Sequence, residues 1–368
     1  MTATTKVDVF RITMDGPGDV SGLIRLFDHK LAAPEHVVAI FGKTEGNGGV
    51  NDYTREYASR SFASALSSYL NIPASVVEER VALVMSGGTE GVLSPHATVF
   101  CRTPVDGRDQ SEKRLSIGFA LTRDFRPEEL GTGMQIRETA KAVGLAMDDA
   151  GIENVEDVHF VQIKCPLLTS DRVREAATRG KIVVTDDAYG SMAYSRGASA
   201  LGVAVALGEV AEPIDDRAIL EDFSLFSTVA SSSAGIELLH NVVVVLGNSQ
   251  MSCSPYRISH SVMQDAIDMD GVRKAFLDGS VIENGSWHVD SDRIVNVFAK
   301  AEPSPDGLVR NFRHTMLNDT DISATRHARA AVGGLLGGMS GCSAIYVSGG
   351  AEHQGPSGGG PIAVIATA

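Results

Sequence analysis

Nine residues recur in a fixed order along the 368-residue sequence, and their types suit attack on a carbonyl. Three apolar runs end in Lys: VVAIFGKTEG at Lys43, VHFVQIKCP at Lys164 and IVNVFAKAE at Lys300. Three others end in a small-residue turn with Ser four positions before Glu. They are VALVMSGGTEG (Ser86, Glu90), STVASSSAGIE (Ser233, Glu237) and AIYVSGGAEHQG (Ser348, Glu352). Three Ala-rich helical patterns open near an Arg, at Arg55, Arg196 and Arg326. A Lys that is desolvated, or set near other cations, loses basicity and can take the proton of a Ser hydroxyl. The freed oxygen attacks a carbonyl, and the amides of an SGG or SAG turn can hold the developing oxyanion.

Local charge distinguishes the three Lys. Glu45 stands two residues after Lys43 and Glu302 two after Lys300, whereas Lys164 lies in QIKCPLL with no carboxylate beside it. Lys164 is therefore expected to be the most readily neutral, which nominates it with Ser233 as base and nucleophile. Ser231 and Ser232 remain rivals, set aside solely by the alignment on Glu237. Arg forks bind carbonyl or anionic oxygen with several donors, so three of them suit a small ring bearing three oxygens. In the Gly-rich SGGAEHQGPSGGGP, carbonyls exposed by Gly and Pro can join Glu302 around a hard cation.

These residues need strands to fix them. Each stretch reads as an opening strand (VDVFRITM, RLSIGFALTR, YRISHSVM), a helix, the strand carrying Lys, a second helix opening near Arg, and the strand delivering Ser. Equivalent positions lie 115 to 147 residues apart, as expected of an internal repeat. The first helices show i, i+3, i+4 apolar spacing, as in Ile136, Ala140, Val143, Ala146 and Met147. The second helices, with ALGVAVALG and AAVGGLLGG, are small and apolar enough to be buried against sheet. Linkers are expected in RTPVDGRDQSEK and NSQMSCSPY. The domain reading is three α/β units, 1–105, 112–250 and 256–368.

Composition excludes other classes. With 32 Lys and Arg against 46 Asp and Glu, the net charge of −14 disfavours a broad nucleic-acid or anionic-membrane surface. No window approaches a membrane span, and the N-terminus lacks a signal-peptide pattern. The four Cys lie far apart without CxxC spacing, fitting a reducing cytosol rather than a zinc site or disulfide framework. GKTEGNGG lacks P-loop spacing, no GxGxxG follows a clear strand, and the His residues show no HExxH.

The long motifs GKTEGNGGVNDYTREYA, VMSGGTEGVLSPH, FAKAE and LLGGMSGCSAIYVSGGAEHQGP resemble the ring-opening amidohydrolases, the cyanuric acid hydrolase and barbiturase family. The resemblance covers essentially the whole chain. It implies three homologous α/β repeats, YjgF-like units around a pseudo-threefold axis with a central sheet barrel and outer helices. It implies hydrolytic opening of cyanuric acid to carboxybiuret, and then biuret and CO₂, by a Ser–Lys dyad without a catalytic cofactor. Barbituric acid opened to ureidomalonate is the alternative, and a non-catalytic binder of small ring amides a further one. Carried over, Lys164 is the base and Ser233 the nucleophile. Arg55, Arg196 and Arg326 hold ring oxygens, Ser86, Gly87, Ala234, Ser348 and Gly349 line the pocket, and Lys43 and Lys300 support it. A structural Mg²⁺ or Ca²⁺ would map to Glu302, Ala351, Gln354, Gly355, Pro356 and Gly359. The implied state is a cytoplasmic homotetramer.

Overall fold

The computed structural model describes residues 4–106, 111–283, 285–286 and 288–368. The first third of the chain forms β1 (Thr5–Thr13), α1 (Ser21–Asp28), β2 (Val37–Thr44), α2 (Tyr53–Leu70), α3 (Ala74–Arg80), β3 (Ala82–Gly87) and β4 (His96–Pro104). The middle third forms β5 (Arg114–Leu121), α4 (Gly133–Ala150), β6 (Val158–Cys165), α5 (Ser170–Thr178), α6 (Ala188–Ala206), β7 (Ala230–Ala234) and β8 (Val242–Ser249). The last forms β9 (Tyr256–Met263), α7 (Met269–Asp278), β10 (Ile294–Ala301), a small hairpin of β11 (Leu308–Val309) and β12 (Phe312–Arg313), α8 (Ala324–Ser340), β13 (Tyr346–Gly349) and β14 (Gly360–Thr367).

The result is a mixed α/β fold with three four-stranded sheets of one strand order: β1-β4-β2-β3, β5-β8-β6-β7 and β9-β14-β10-β13. In each, the last strand of the set runs antiparallel between the opening strand and the Lys strand, which pairs in parallel with the Ser strand. The sequence reading had no place for β4, β8 and β14, although HATVF, VVVVL and PIAVIA are apolar runs of strand length. A bulge interrupts each Lys strand near its start, between Val37 and Ala39, Val158 and Phe160, and Ile294 and Asn296. Below these bulges the Lys strands are buried on both faces, which is why they read as near-continuous apolar runs.

One face of every sheet joins a shared apolar cluster containing Val9, Phe41, Phe100, Ile117, Phe160, Leu246, Phe298 and Ile365. Phe298 stands 6.1 Å from Phe41 and 5.4 Å from Phe160, ring centre to ring centre, so residues of all three thirds meet there. Helices cover the other faces. Asp52, Thr132, Asp187 and Asp268 cap four of them by accepting from backbone amides of the first turn. In α4 the expected stripe is buried at Ile136, Val143, Ala146 and Met147, with Ala140 half-buried. Small residues let α6 pack closely, and Gly202 lies against Thr139 and the Ile136 carbonyl of α4, where a side chain would collide.

The segment NSQMSCSPY is a packed turn rather than a loose linker. Ser252 and Ser254 are buried there, with their hydroxyls donating to the carbonyls of Leu115 and Val7. The other expected linker, RTPVDGRDQSEK, lies partly outside the described residues. Among the described residues no helix is long and apolar enough to cross a membrane.

Candidate active site

Parallel pairing sets each Lys directly opposite a Ser. Lys43 faces Ser86 across β2 and β3, Lys164 faces Ser233 across β6 and β7, and Lys300 faces Ser348 across β10 and β13. All three Lys are buried. The Ser residues, with Gly87, Ala234 and Gly349 after them, line a common small cavity that also touches Gly48, Met192, Arg55, Arg196 and Arg329.

The three corners differ. Lys43 Nζ donates to Ser86 Oγ at 3.2 Å and Lys300 Nζ to Ser348 Oγ at 3.2 Å, while Ser86 Oγ lies 3.3 Å from Ser348 Oγ. Ser233 Oγ is buried without a hydrogen-bond partner. Lys164 Nζ instead donates to the Met85 carbonyl at 2.8 Å and pairs with Glu237 at 3.4 Å. Of the rival hydroxyls, Ser231 Oγ is 2.8 Å from Gln162 Oε1, and Ser232 Oγ, also buried without a partner, does not line the cavity.

Each Arg reaches into the neighbouring third of the chain. Arg55 of α2 donates to the Ala234 carbonyl at 2.9 Å and to the Gly49 carbonyl at 2.7 Å. Arg196 of α6 grips Glu352 with two bonds, at 2.8 and 2.6 Å. Arg329 of α8 grips Glu90 the same way, at 2.7 and 2.6 Å. The third Arg of the cavity is therefore Arg329 and not Arg326. Both lie on one side of α8 and both touch Glu90, but the Arg326 side chain is 40% exposed against 5% for Arg329. Arg326 holds Glu90 from the rim, one turn short of the cavity.

Charge differs from the sequence expectation as well. Glu45 is not a partner of Lys43, whereas Glu237, four residues beyond Ser233, reaches Lys164. Burial is the main reason all three Lys lose basicity. Lys43 is pushed well below its ordinary value, with nearby Arg329 adding to the effect. Lys300 falls to about 7 through burial and Arg196. Lys164 falls to about 8, because Glu237 offsets part of the burial. Lys164 is thus the corner held by a carboxylate, the reverse of the expectation from neighbours in sequence.

The turn amides are committed elsewhere. Gly88 N–H donates to the Thr44 carbonyl and Gly235 N–H to the Cys165 carbonyl, each closing its turn. Gly350 N–H donates to Glu302 at 2.8 Å. These three amides therefore do not face the cavity, whereas Gly87, Ala234 and Gly349, directly after each Ser, line it.

Glu302 also accepts from Thr325 Oγ1 at 3.1 Å, and burial together with the Glu352 charge raises its carboxyl to about 7. The following loop is tightly wound, with left-handed backbone at Gly350, His353, Gly355 and Gly358. Ala351 and Pro356 carbonyls accept from Gln354 and Gly359 amides, both at 2.9 Å. Gln354 Oε1 accepts from the Ser232 amide at 2.6 Å, joining this loop to the strand that carries Ser233. Among the described residues no group of three His, Cys, Asp or Glu side chains can hold a metal, so a cation here would depend on backbone oxygen.

Strand-end Lys and Ser pairs ringed by Arg on a mixed α/β frame define a protein built to take a small polar ligand with several oxygens. The family model described as amidohydrolase ring-opening protein matches residues 8–367. A cyanuric acid amidohydrolase of Bradyrhizobium diazoefficiens is 62% identical over 99% of this chain and 98% of its own length. One from Pseudomonas sp. strain ADP is 56% identical over 98% of this chain and 99% of its own. A solved cyanuric acid hydrolase superposes with a TM-score of 0.95 at 55% identity, covering 99% of this chain and 100% of its own. The chain belongs to the ring-opening amidohydrolase family.

Proposed function

We propose that this protein is a cyanuric acid amidohydrolase, opening the triazine ring by attack of Ser233 with Lys164 as base. The observation that carries the assignment of the nucleophile is the free hydroxyl. Ser86 and Ser348 are engaged by Lys43 and Lys300, while buried Ser233 Oγ has no partner and lines the cavity. The substrate follows from family membership and from the relatives described above, and three oxygens on one ring match three Arg groups around one cavity.

In this reading neutral Lys164 takes the Ser233 proton as Oγ bonds to a ring carbonyl carbon. Collapse of the tetrahedral adduct breaks the carbon–nitrogen bond, and the leaving nitrogen takes the proton back from Lys164. Water then hydrolyses the ester, again with Lys164 moving the proton, and carboxybiuret leaves to lose CO₂. Arg55, Arg196 and Arg329 hold the ring oxygens and stabilise the charge that develops on the attacked one.

The three sheets are best read as homologous units, residues 1–105, 112–250 and 256–368, set about a pseudo-threefold axis with a central barrel. One strand order, one bulge position and one shared apolar cluster support that reading. A structural divalent cation, Mg²⁺ or Ca²⁺, fits beside Glu302. The donors implied by the family resemblance would be one buried carboxylate and the carbonyls of Ala351, Gln354, Gly355, Pro356 and Gly359, oxygen donors of the kind a hard cation takes. It would offset the buried charge of Glu302, which lies beside Glu352 already gripped by Arg196, and steady the loop that Gln354 ties to the Ser233 strand.

The test is side-by-side turnover of cyanuric and barbituric acid by purified protein, with products identified by mass. Faster release from cyanuric acid is expected. Equal or faster barbiturate opening would overturn the substrate, and recovery of both rings unchanged would make the protein a binder.

A further inference from the structure

The Glu that follows each Ser by four residues is used in two ways. Glu90 is taken up by Arg329 and Glu352 by Arg196, each through a two-bond grip. Arg55, the equivalent Arg for Glu237, spends its donors on the carbonyls of Ala234 and Gly49 instead. Glu237 is left to the amine of Lys164, 3.4 Å away. Lys164 is 1% exposed, while the Glu237 side chain keeps 16% of its surface and borders a cleft of 470 Å³ outside the substrate cavity. Chain geometry favours this pose. The carboxylate folds back over Gly235, where a methyl group would lie 2.4 Å from Oε2 and 2.6 Å from Cδ.

We propose that Glu237 is the positioning residue of the reacting pair, fixing Lys164 Nζ and supplying the counter-charge when the amine takes the Ser233 proton. The inference rests on the Ser233–Lys164 reading above. When the amine becomes ammonium in a buried site, an uncompensated charge is costly, and an adjacent carboxylate lowers that barrier. The other charged or titratable neighbours of Lys164 are Arg55 and the Cys165 thiol. Near Glu237 stand Arg55 and Arg172, the latter donating to the Leu238 carbonyl at 2.8 Å. The cleft beyond carries Glu56, Arg60, Glu78, Glu79, Asp124 and His240. Lys43 feels Glu90 and Asp52, and Lys300 feels Glu352 and Glu302, but among the described residues neither makes a direct ion pair, and each donates to its Ser hydroxyl instead.

The experiment compares Glu237→Gln with wild type in kcat/KM for cyanuric acid across pH. Each enzyme is also labelled with a serine-reactive fluorophosphonate and mapped by mass spectrometry. Removing the carboxylate lowers the Lys164 pKa further, so the acidic limb should move to lower pH by about one unit while kcat falls by roughly tenfold or more. Gly235→Ala keeps the carboxylate but displaces it, and its backbone is not left-handed, so it should move the limb the same way if Glu237→Gln fails to fold. Label on Ser233 with the limb unmoved in a folded variant would overturn the role of Glu237 alone. Label on Ser86 or Ser348 would overturn the underlying pair and this inference with it.

Discussion

The Lys43–Ser86 and Lys300–Ser348 corners differ from the Lys164–Ser233 corner in where their hydrogen bonds go. In the first two the amine donates to the hydroxyl and the nearby Glu is held by Arg. In the third the amine is held by Glu and the hydroxyl is free. Under the proposed mechanism, a frame of one strand order carries two corners that hold the ligand and one that attacks it. Residue types do not make the difference, since all three corners have Lys, Ser, Glu and Arg. It lies in which partner the Arg chooses.

The strongest test of that contrast is to delete the reacting groups. Ser233→Ala and Lys164→Ala should each lower turnover by roughly 10³-fold or more, and the double variant should be scarcely worse than either, because the two act as one unit. Ser86→Ala and Ser348→Ala should weaken ligand binding, and a trapped acyl-enzyme should never map to either position. Steady-state kinetics and mass mapping check both statements.

The Arg contrast comes next. Arg329→Ala removes the buried two-bond grip and leaves Glu90 only the half-exposed bond from Arg326, and losing most of a buried pair destabilises by about 3 kcal/mol. Arg326→Ala removes a half-exposed bond worth about 1 kcal/mol or less. Denaturant melts should separate the two variants clearly, and activity should be lost in Arg329→Ala alone.

Glu302→Gln should lower the melting temperature by several degrees through a loosened Gln354 loop, with activity reduced secondarily. Chelator should shift wild type the same way and leave the variant unchanged. An unaltered melting temperature with activity gone would place Glu302 in the chemistry instead.

The smallest effect lies far from the cavity. His159 and His260 meet Nδ1 to Nδ1 at 2.7 Å between the second and third sheets. Burial lowers both, His159 from 6.5 to about 4. A lowered folded-state value gives stability that is present above the unfolded value and lost as pH falls through the folded one. Melting temperature should therefore decline as pH drops from 6.5 towards about 4, and His159→Asn should flatten part of that slope.

Much of this was legible in the sequence. Apolar runs ending in Lys or in a small-residue turn locate the Lys and Ser strands, while their pairing in register is seen in the structure alone. The central strand of each sheet has no place in the repeat pattern, although HATVF, VVVVL and PIAVIA are apolar runs of strand length. The pattern of an Arg opening an Ala-rich helix points to Arg326 and does not reach Arg329. The buried stripe of α8 through Ala328, Val332 and Leu336 continues past Arg329 and leaves Arg326 aside, a signal that RHARAAVGGLLGG did contain. The Glu237 contact had no local signal, since it depends on where a parallel neighbour places its Lys.

The reach of each Arg into the next third also bears on how the chain folds. Arg329 and Glu90 are 239 residues apart, Arg55 and Ala234 are 179, and Ser86 and Ser348 are 262. Contacts of such separation form late, after loop-closure entropy has been overcome. The sheets can assemble from nearer neighbours, but the cavity has no partial form. A growing polypeptide would carry Lys43, Arg55 and Ser86 long before α8 emerges to clasp Glu90. Regain of activity on refolding should accordingly lag well behind regain of secondary structure.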